Sequence, residues 1–237
     1  MGRRSDHSRK ELEELALSAA IQGVTAQGTQ GLTIRGVAHA IGYSPGTLYN
    51  LFENRDELIL RVAGRALDLL LQTLEDAEAK DKAIGLHGLC DQFIRFVETN
   101  GLLWEAVIAA RAQRSDPAIW YWQKVMRIVE VTQRVLLRAL PDLPADVAMR
   151  SAITVALALN GLVATVDRQN LWTFAQSDLA SMAHDLIDRY TAGLAAVGDE
   201  SQRPGQTQPG EQSQSHGTSA ADAAHAVTTA TDGPGDQ

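Results

Sequence analysis

Residues 33 to 55 carry short polar, aromatic and cationic side chains whose chemistry suits nucleic acid. Hydroxyl and amide groups can hydrogen-bond base edges, tyrosine can reach phosphate, and an arginine at a helix N-terminus can pair with phosphate. The candidate DNA-contacting residues are Thr33, Arg35, Ser44, Pro45, Gly46, Thr47, Tyr49, Asn50 and Arg55. Contacts of this kind need a rigid element that places the side chains in a groove.

Two short helices joined by a tight turn are predicted to position these groups. Thr33 can cap the first helix, whose apolar face follows helical spacing at Ile34, Val37, Ala38 and Ile41. Gly42 permits the left-handed backbone of a sharp helix exit, and Ser44 followed by Pro45 is a helix start signal. Leu48 is expected to fill the seam between the helices, which indicates a helix-turn-helix.

A third helix is predicted to begin directly after this unit. Asn54 can cap it, and Glu57 stands three residues later in a variant of the capping box. The helix-turn-helix would therefore be followed at once by a longer helix that connects it to the remainder of the chain.

The segment resembles the N-terminal DNA-binding domain of the TetR family of bacterial transcriptional regulators. The matching positions are Thr33, Ile34, Val37, Ala38, Gly42, Ser44, Gly46, Thr47, Leu48, Tyr49, Phe52, Arg55, Asp56, Glu57 and Leu58, and Arg55 stands where the family usually has lysine. The resemblance implies a homodimer that binds a double-stranded DNA operator and an unidentified small-molecule ligand. It also implies that the last two helices form a four-helix dimer interface.

Composition favours a cytoplasmic globular protein and gives little support to other classes. The chain has 237 residues and 45% hydrophobic content, and we expect neither a signal peptide nor an apolar run long enough to span a membrane. The single cysteine, Cys90, excludes an internal disulfide and any multi-cysteine metal site. We expect no cofactor, no metal and no membrane partner.

The net charge of -8 is unevenly distributed along the chain. Residues 1–65 hold 8 Lys+Arg and 7 Asp+Glu, whereas residues 66–197 hold 12 and 16, and residues 198–237 hold 1 and 6. A DNA-binding head with a charge of only +1 suggests that affinity requires two heads, together with the early cations Arg3, Arg4, Arg9 and Lys10.

These patterns predict an all-α chain in three parts. Residues 1–53 would be the helix-turn-helix domain, with a first helix over 8–27, and residues 54–197 a helical ligand-binding and dimerisation domain. Polar, proline-containing residues 198–237 would be a disordered acidic tail. Helices are predicted near 54–79, 83–99, 102–114, 117–140, 145–169 and 178–197.

The last two predicted helices carry different apolar patterns. Helix 145–169 is rich in small residues among larger apolar ones, and the final helix has Leu179, Met182, Leu186 and Tyr190 in steps of three and four. These surfaces suit the dimer interface that the resemblance implies. They suit packing inside one subunit equally well.

A ligand cavity is the family's other expectation, and its candidate residues lie in the middle helices. They are His87, Phe93, Trp104, Arg111, Trp120, Trp122, Met126 and Asn160. Apolar walls with a few oriented polar groups are typical of ligand sites. The same aromatic residues could instead fill an ordinary core.

Together, these observations favour a ligand-responsive regulator, with a repressor released from its operator by a small molecule as the expected mode. We expect no enzyme, because the chain has no glycine-rich phosphate loop, paired metal-binding histidines or nucleophile motif, and so no catalytic residues are assigned. The alternative is a helical small-molecule-binding or adaptor protein that does not bind an operator.

Overall fold

The structure, a computed structural model, describes residues 7–113, 118–164 and 173–202, without the side chains of 111–113, 173–178 and 197–202. Over these ranges the fold is all-helical, which confirms the predicted class. The elements in chain order are α1 (Arg9–Gln27), a 3-10 turn (Thr29–Gly31), α2 (Ile34–Ala40), α3 (Pro45–Tyr49), α4 (Arg55–Lys80), α5 (Leu86–Thr99), α6 (Gly101–Gln113), α7 (Ile119–Ala139), α8 (Ala145–Ala164) and α9 (Thr173–Gln202).

Side-chain caps begin the helices that frame the N-terminal unit. Ser8 accepts a hydrogen bond from the Glu11 backbone N–H of α1, and the Glu11 carboxylate accepts one from the Ser8 N–H, which completes a capping box. At the start of α4, the Asn54 side chain accepts from the Glu57 N–H at 2.9 Å. The Glu57 carboxylate in turn accepts from the Glu53 N–H. In a standard capping box the donor would be the N–H of the N-cap residue itself, Asn54, so the donor here is one residue earlier.

Helix α4 lies at the centre of the fold and joins the N-terminal helices to the remainder. It packs against α1, α5, α6 and α7, and its buried side chains extend over five turns from Leu58 to Leu74. Because a 26-residue helix is about 39 Å long, one rigid element extends from the helix-turn-helix to the middle helices.

The last two described helices pack on the middle of the fold: α8 packs on α7, and α9 packs on α5 and α8. Helix α9 continues to Gln202, past the predicted end at 197. The remainder of the predicted tail, residues 203–237, lies outside the described residues.

Helix α8 differs from one expectation. Among the described residues it is the helix that is long and apolar enough, by length and composition, to cross a membrane, although no such segment was expected. Its buried residues are Ala148, Ser151, Ala152, Val155, Leu159 and Val163. They make up one side of the helix, and 28% of its most apolar stretch is buried, so much of its apolar surface is not covered by the described fold.

Candidate nucleic-acid interface and ligand cavity

The turn between α2 and α3 has the predicted geometry. Gly42 adopts φ +74°, which L side chains rarely adopt, and the Tyr43 N–H donates to the Ala38 carbonyl across the turn at 2.9 Å. Ala38 and Leu48 are fully buried where the two helices meet. Ala38, Gly42 and Leu48 therefore fix the angle between α2 and α3.

Helix α3 exposes the side predicted to face DNA. Ser44 caps it by accepting from the Thr47 N–H at 3.2 Å, and the two hydroxyl oxygens lie 2.8 Å apart. Pro45 and Gly46 are exposed, Thr47 is half-buried, and Asn50 is exposed at the C-terminal end. Tyr49 is 51% exposed, a high value for a large aromatic side chain that has apolar surface to bury.

The two candidates on α2 occupy different positions. Thr33 is the N-cap of the helix and accepts from the Gly36 N–H at 3.0 Å, so its hydroxyl supports the start of α2. Arg35 is exposed on the first turn of the same helix. Arg35 therefore presents a cationic side chain to solvent.

The N-terminal end of α1 lies against both ends of α3. The Arg9 guanidinium donates to the Asn50 carbonyl at 3.3 Å, and His7 Nδ1 lies 2.7 Å from the Tyr43 hydroxyl. The sequence indicated only that early cations could matter. The fold brings Arg9, 41 residues away in sequence, beside the C-terminus of α3.

Arg55 is the first residue of α4, as expected, and also makes hydrogen bonds within the protein. Its Nε donates to the Leu32 carbonyl at 2.9 Å and its Nη2 donates to the Thr29 carbonyl at 2.7 Å. The half-buried guanidinium thus ties the 3-10 turn to the start of α4. Two of its five donors are engaged within the protein, which gives Arg55 a positioning role for the helix-turn-helix.

A cavity of about 510 Å³ lies among α4, α5, α6, α7 and α8. Its walls are mainly aliphatic and aromatic, and the lining also includes the polar residues Thr132 and Asn160. Volume and lining match those of pockets for drug-sized molecules. Trp122 and Leu157, which are 47% and 54% exposed, line it at its open side.

Five of the predicted ligand residues line this cavity together: Phe93, Trp104, Trp122, Met126 and Asn160. Trp120 does not, because residues two apart on a helix point in nearly opposite directions and Trp122 takes the cavity side. His87 also lies outside the lining, on the side of α5 that faces α9. The Arg111 side chain lies outside the described residues.

Sequence reasoning missed other lining residues, notably Leu67, Leu70 and Leu74 of α4, and Thr132 of α7. The leucines recur at helical spacing in the sequence, but that signal indicates burial without distinguishing a cavity wall from a packed core. Burial also raises the pKa of the Cys90 thiol to about 12, so this lining residue stays protonated near neutral pH.

Trp120 instead contacts the helix that leads to the head. The Arg61 guanidinium lies 5.0 Å from its ring centroid, a cation–π distance, and also pairs with Glu13 of α1 and Glu57 of α4. Trp120 packs edge to face on Tyr121, which lines the cavity. Neighbouring residues of α7 therefore contact the cavity and Arg61.

A cluster of two histidines and two aspartates joins α5 to α9. His87 Nε2 lies 2.9 Å from Asp188, His184 Nε2 lies 2.7 Å from Asp91, and the two imidazole rings meet edge to face at 4.7 Å. Within the described residues, no group of three or more His, Cys, Asp or Glu side chains is placed to hold a metal ion. The cluster acts as a polar contact between helices.

Residues 16–62 match the family model described as bacterial regulatory proteins, tetR family. This match extends from the middle of α1 to the first turns of α4 and therefore includes the whole helix-turn-helix. No curated protein is significantly similar to the chain.

Solved structures share the fold beyond this domain. A putative transcriptional regulator from Pseudomonas aeruginosa PAO1 is 20% identical, with a TM-score of 0.57 over 81% of this chain and 95% of that one. The TetR-family regulator PfmR from Thermus thermophilus is 21% identical (TM-score 0.52, 73% and 97%), as is BioQ, solved with its natural double-stranded DNA operator (TM-score 0.55, 76% and 98%). The resemblance to the TetR family is confirmed: the chain carries the DNA-binding domain of the tetR family of bacterial regulatory proteins on the fold of TetR-family transcriptional regulators.

Proposed function

We propose that this protein is a homodimeric transcriptional repressor of the cytoplasm that a small molecule releases from its DNA operator. The observation that carries the proposal is the combination of an exposed, capped α3 with an apolar cavity: α4 begins shortly after α3 in the chain, and its leucines line the cavity. BioQ, which shares the fold, was solved on a double-stranded DNA operator, and this supports operator binding here.

DNA recognition is assigned to the exposed side of α3 and to the cations around it. Thr47 and Asn50 would contact base edges, whereas Tyr49 would contact a phosphate. Ser44, Pro45 and Gly46 would lie close to the backbone at the start of the helix. Arg35 and Arg9 would supply cationic contacts on either side, and Thr33 and Arg55 would hold the unit in place.

Dimerisation is assigned to the exposed faces of α8 and α9. Met182 is 49% exposed, and no atom lies within 4 Å of the position that a Cβ would take at Gly161 or Gly193, so a second helix can approach closely there. The buried side of α9 is formed by Ala183 and Ile187. Met182 and Gly193 are therefore exposed on the part of α9 that its own subunit leaves uncovered, where a partner could pack.

Coupling between the two sites would pass through α6 and α4. Trp104 and Val107 of α6 line the cavity, while Leu102 and Glu105 of the same helix lie beside Gly28 at the end of α1. A ligand that displaces α6 or α7 would therefore change the position of the head. The ligand lowers operator affinity if it binds better to a dimer conformation in which the spacing of the two DNA-binding heads does not match that of the DNA half-sites.

The alternative is a helical ligand-binding or adaptor protein that does not bind an operator. Retention of random duplex DNA on the immobilised protein, measured at about 50 and 200 mM salt, separates the two. A regulator should bind DNA more weakly at the higher salt, since phosphate contacts release counterions. Tyr49→Ala should reduce retention, while Leu69→Ala, on an exposed α4 position, should not. Retention that is absent at low salt would favour the adaptor.

A further inference from the structure

The cavity has a buried side and a partly exposed side. Its lining residues on α4 and α5 are all buried, and apart from the cysteine they are hydrocarbon side chains: Leu67, Leu70, Leu74, Leu86, Leu89, Cys90 and Phe93. The lining residues of α7 and α8 are mostly half-buried or exposed, and Trp122 and Leu157 are the most exposed of them. The cavity therefore opens to solvent between α7 and α8.

Asn160 lies at this opening. Because a short connection joins α7 to α8 and the two helices pack on each other, they run antiparallel, and Trp122 near the start of α7 lies level with Asn160 near the end of α8. Asn160 is half-buried and shares one side of α8 with the lining residues Ile153, Ala156 and Leu157. Since asparagine has a single methylene before its amide, an asparagine on this side presents the amide itself to the cavity.

The side of α8 that carries Asn160 differs from the face assigned to the dimer. Successive residues of an α-helix are rotated by about 100°. Asn160 therefore faces the cavity, whereas Gly161, where no atom lies within 4 Å of the position of a Cβ, faces the proposed partner. A ligand group bound at Asn160 need not displace a partner helix.

Thr132 supplies a weaker polar group at the other end of the cavity. It lies ten residues, or about 15 Å, further along α7 than Trp122. Its hydroxyl already donates to the Ile128 carbonyl at 3.2 Å and can only accept from a ligand. The Asn160 amide can both donate and accept, so it is better suited to orient a ligand.

We propose that the cavity binds an amphipathic molecule in one orientation, with its hydrocarbon body against the leucines of α4 and α5 and its polar end hydrogen-bonded to the Asn160 amide at the opening. Burial of the hydrocarbon body drives binding, while the polar end avoids desolvation without a partner. A hydroxyl or carbonyl group suits an amide that donates and accepts. The inference rests on the proposed function only in taking the cavity as the regulatory site.

Displacement of a fluorescent reporter from the full-length protein tests the role of Asn160. N-phenyl-1-naphthylamine, which brightens in apolar surroundings, is displaced by 1-octanol or by octane, two molecules that differ in one hydroxyl group. The ratio of their inhibition constants is measured in wild type, in Asn160→Leu and in Thr132→Val. Because the ratio is taken within each variant, a change in cavity volume acts on both compounds alike.

Asn160→Leu should shift this ratio against 1-octanol by about three- to tenfold, the value of one hydrogen bond, since leucine has a similar volume and can neither donate nor accept. Thr132→Val is the matched control, because it also removes one polar group from the lining. It should shift the ratio by less than about twofold, since the Thr132 hydroxyl lies away from the opening.

The orientation is tested in wild type, which needs no variant to fold. In 2-octyloxyethanol the polar end is longer, and because the opening leaves room for it, this compound should displace the reporter within about threefold of 1-octanol. In 1,8-octanediol a second hydroxyl is carried into the leucine-lined end of the cavity. The diol should bind at least about tenfold more weakly than 1-octanol, since that hydroxyl is desolvated without a partner.

The proposal is overturned if 1-octanol does not displace the reporter, if Asn160→Leu leaves the ratio unchanged, if Thr132→Val shifts it equally, or if the diol binds as well as 1-octanol. These measurements contain no DNA. Operator binding by a protein in which Asn160 has no effect would contradict only the ligand orientation. An Asn160-dependent preference in a protein that binds no DNA would contradict only the regulator.

Discussion

Gly64 of α4 and Trp120 of α7 are in such close contact that a Cβ at position 64 would lie 2.6 Å from Cζ3 of the indole ring. Only glycine leaves room for the ring at this point. The ring in turn lies under the Arg61 guanidinium, and Tyr121 beside it lines the cavity. In the proposed mechanism, this contact would transmit a displacement of α7 to the helix that leads to the head.

Gly64→Ala should therefore disturb coupling more than it disturbs either site. The added methyl group must displace the Trp120 ring and its contact with Arg61. We expect a loss of roughly 1–3 kcal/mol in the free energy of unfolding, typical of overpacking, and a ligand-induced change in operator affinity reduced by about tenfold or more. Ligand affinity itself should change little. Thermal melting and operator anisotropy with and without ligand measure these quantities.

Gly23→Ala provides the control for this substitution. Gly23 lies on the exposed side of α1, and no atom lies within 4 Å of the position of its Cβ. Alanine should stabilise the protein there by roughly 0.4–1 kcal/mol, since it favours the helix, and should leave ligand response intact. Equal loss of response in both variants would mean that Gly64 has no special part in coupling.

Adjacent residues of α3 should separate stability from recognition. Leu48 is fully buried, so Leu48→Ala should cost roughly 2–5 kcal/mol of stability. Tyr49→Phe removes only an exposed hydroxyl and should leave the melting temperature within about 1 °C while weakening binding similarly for all DNA sequences. Thr47→Ala should instead change base preference. A Tyr49→Phe variant with unchanged gel-shift affinity would remove the tyrosine from the interface.

The sequence was most informative where the physical cause is local. Gly42 and Ser44 could be assigned because a left-handed turn and an N-cap depend on their immediate neighbours. The acceptors of Arg55, the carbonyls of Thr29 and Leu32, could not be predicted, because they lie more than 20 residues away and carry no sequence signal. The phosphate contact predicted for Arg55 stays a prediction.

Prediction of the cavity residues from the sequence was limited in the same way. Periodicity identified Trp120 and Trp122 as aromatic residues of one helix, but only the packing of α4 and α8 decides which side of α7 faces the cavity. His87 and Cys90 are three residues apart on α5, and this spacing does not reveal that they meet different partners. The structure places Cys90 in the cavity wall and pairs His87 with Asp188, 101 residues later in the sequence.

A charge on the exposed face of α9 should test the dimer. Met182→Glu places a carboxylate where two subunits would meet, whereas Leu69→Glu makes a comparable change on an exposed position of α4. Light scattering at micromolar concentration should show a dimer for wild type and Leu69→Glu, and a monomer for Met182→Glu. A monomeric wild type would contradict both the proposed interface and the proposed binding of two DNA half-sites by one dimer.

Acid should weaken the contact between the C-terminal end of α4 and α7. Hydrogen bonds from Arg134, at 2.8 Å, and from Arg138 hold the pKa of Glu78 below its ordinary value of 4.5, with burial opposing them. A carboxyl group whose pKa is lowered in the folded state stabilises the protein at pH values above 4.5, its ordinary pKa. It loses that contribution as the pH falls through its pKa in the folded state.

Glu78→Gln should therefore destabilise the protein by roughly 1–2 kcal/mol at pH 7, with the difference from wild type shrinking below pH 4.5. Asp146→Asn is the control, because the pKa of Asp146 is also lowered by an arginine, Arg150, but the pair is exposed. Urea unfolding of wild type and of each variant, from pH 7 to below pH 4.5, measures the change in the free energy of unfolding that each substitution causes. A Glu78→Gln penalty that does not depend on pH would show that the carboxylate charge is not its source.

Selection of binding sites from a random-sequence duplex library, using full-length protein, tests the central claim most directly. Two α3 helices held by one dimer should enrich an inverted repeat whose half-sites are about one helical turn, or a multiple of it, apart. Thr47→Ala should alter the bases recovered within each half-site. A library that shows no enriched sequence, or a single unpaired half-site, would contradict the account of a dimeric operator-binding regulator.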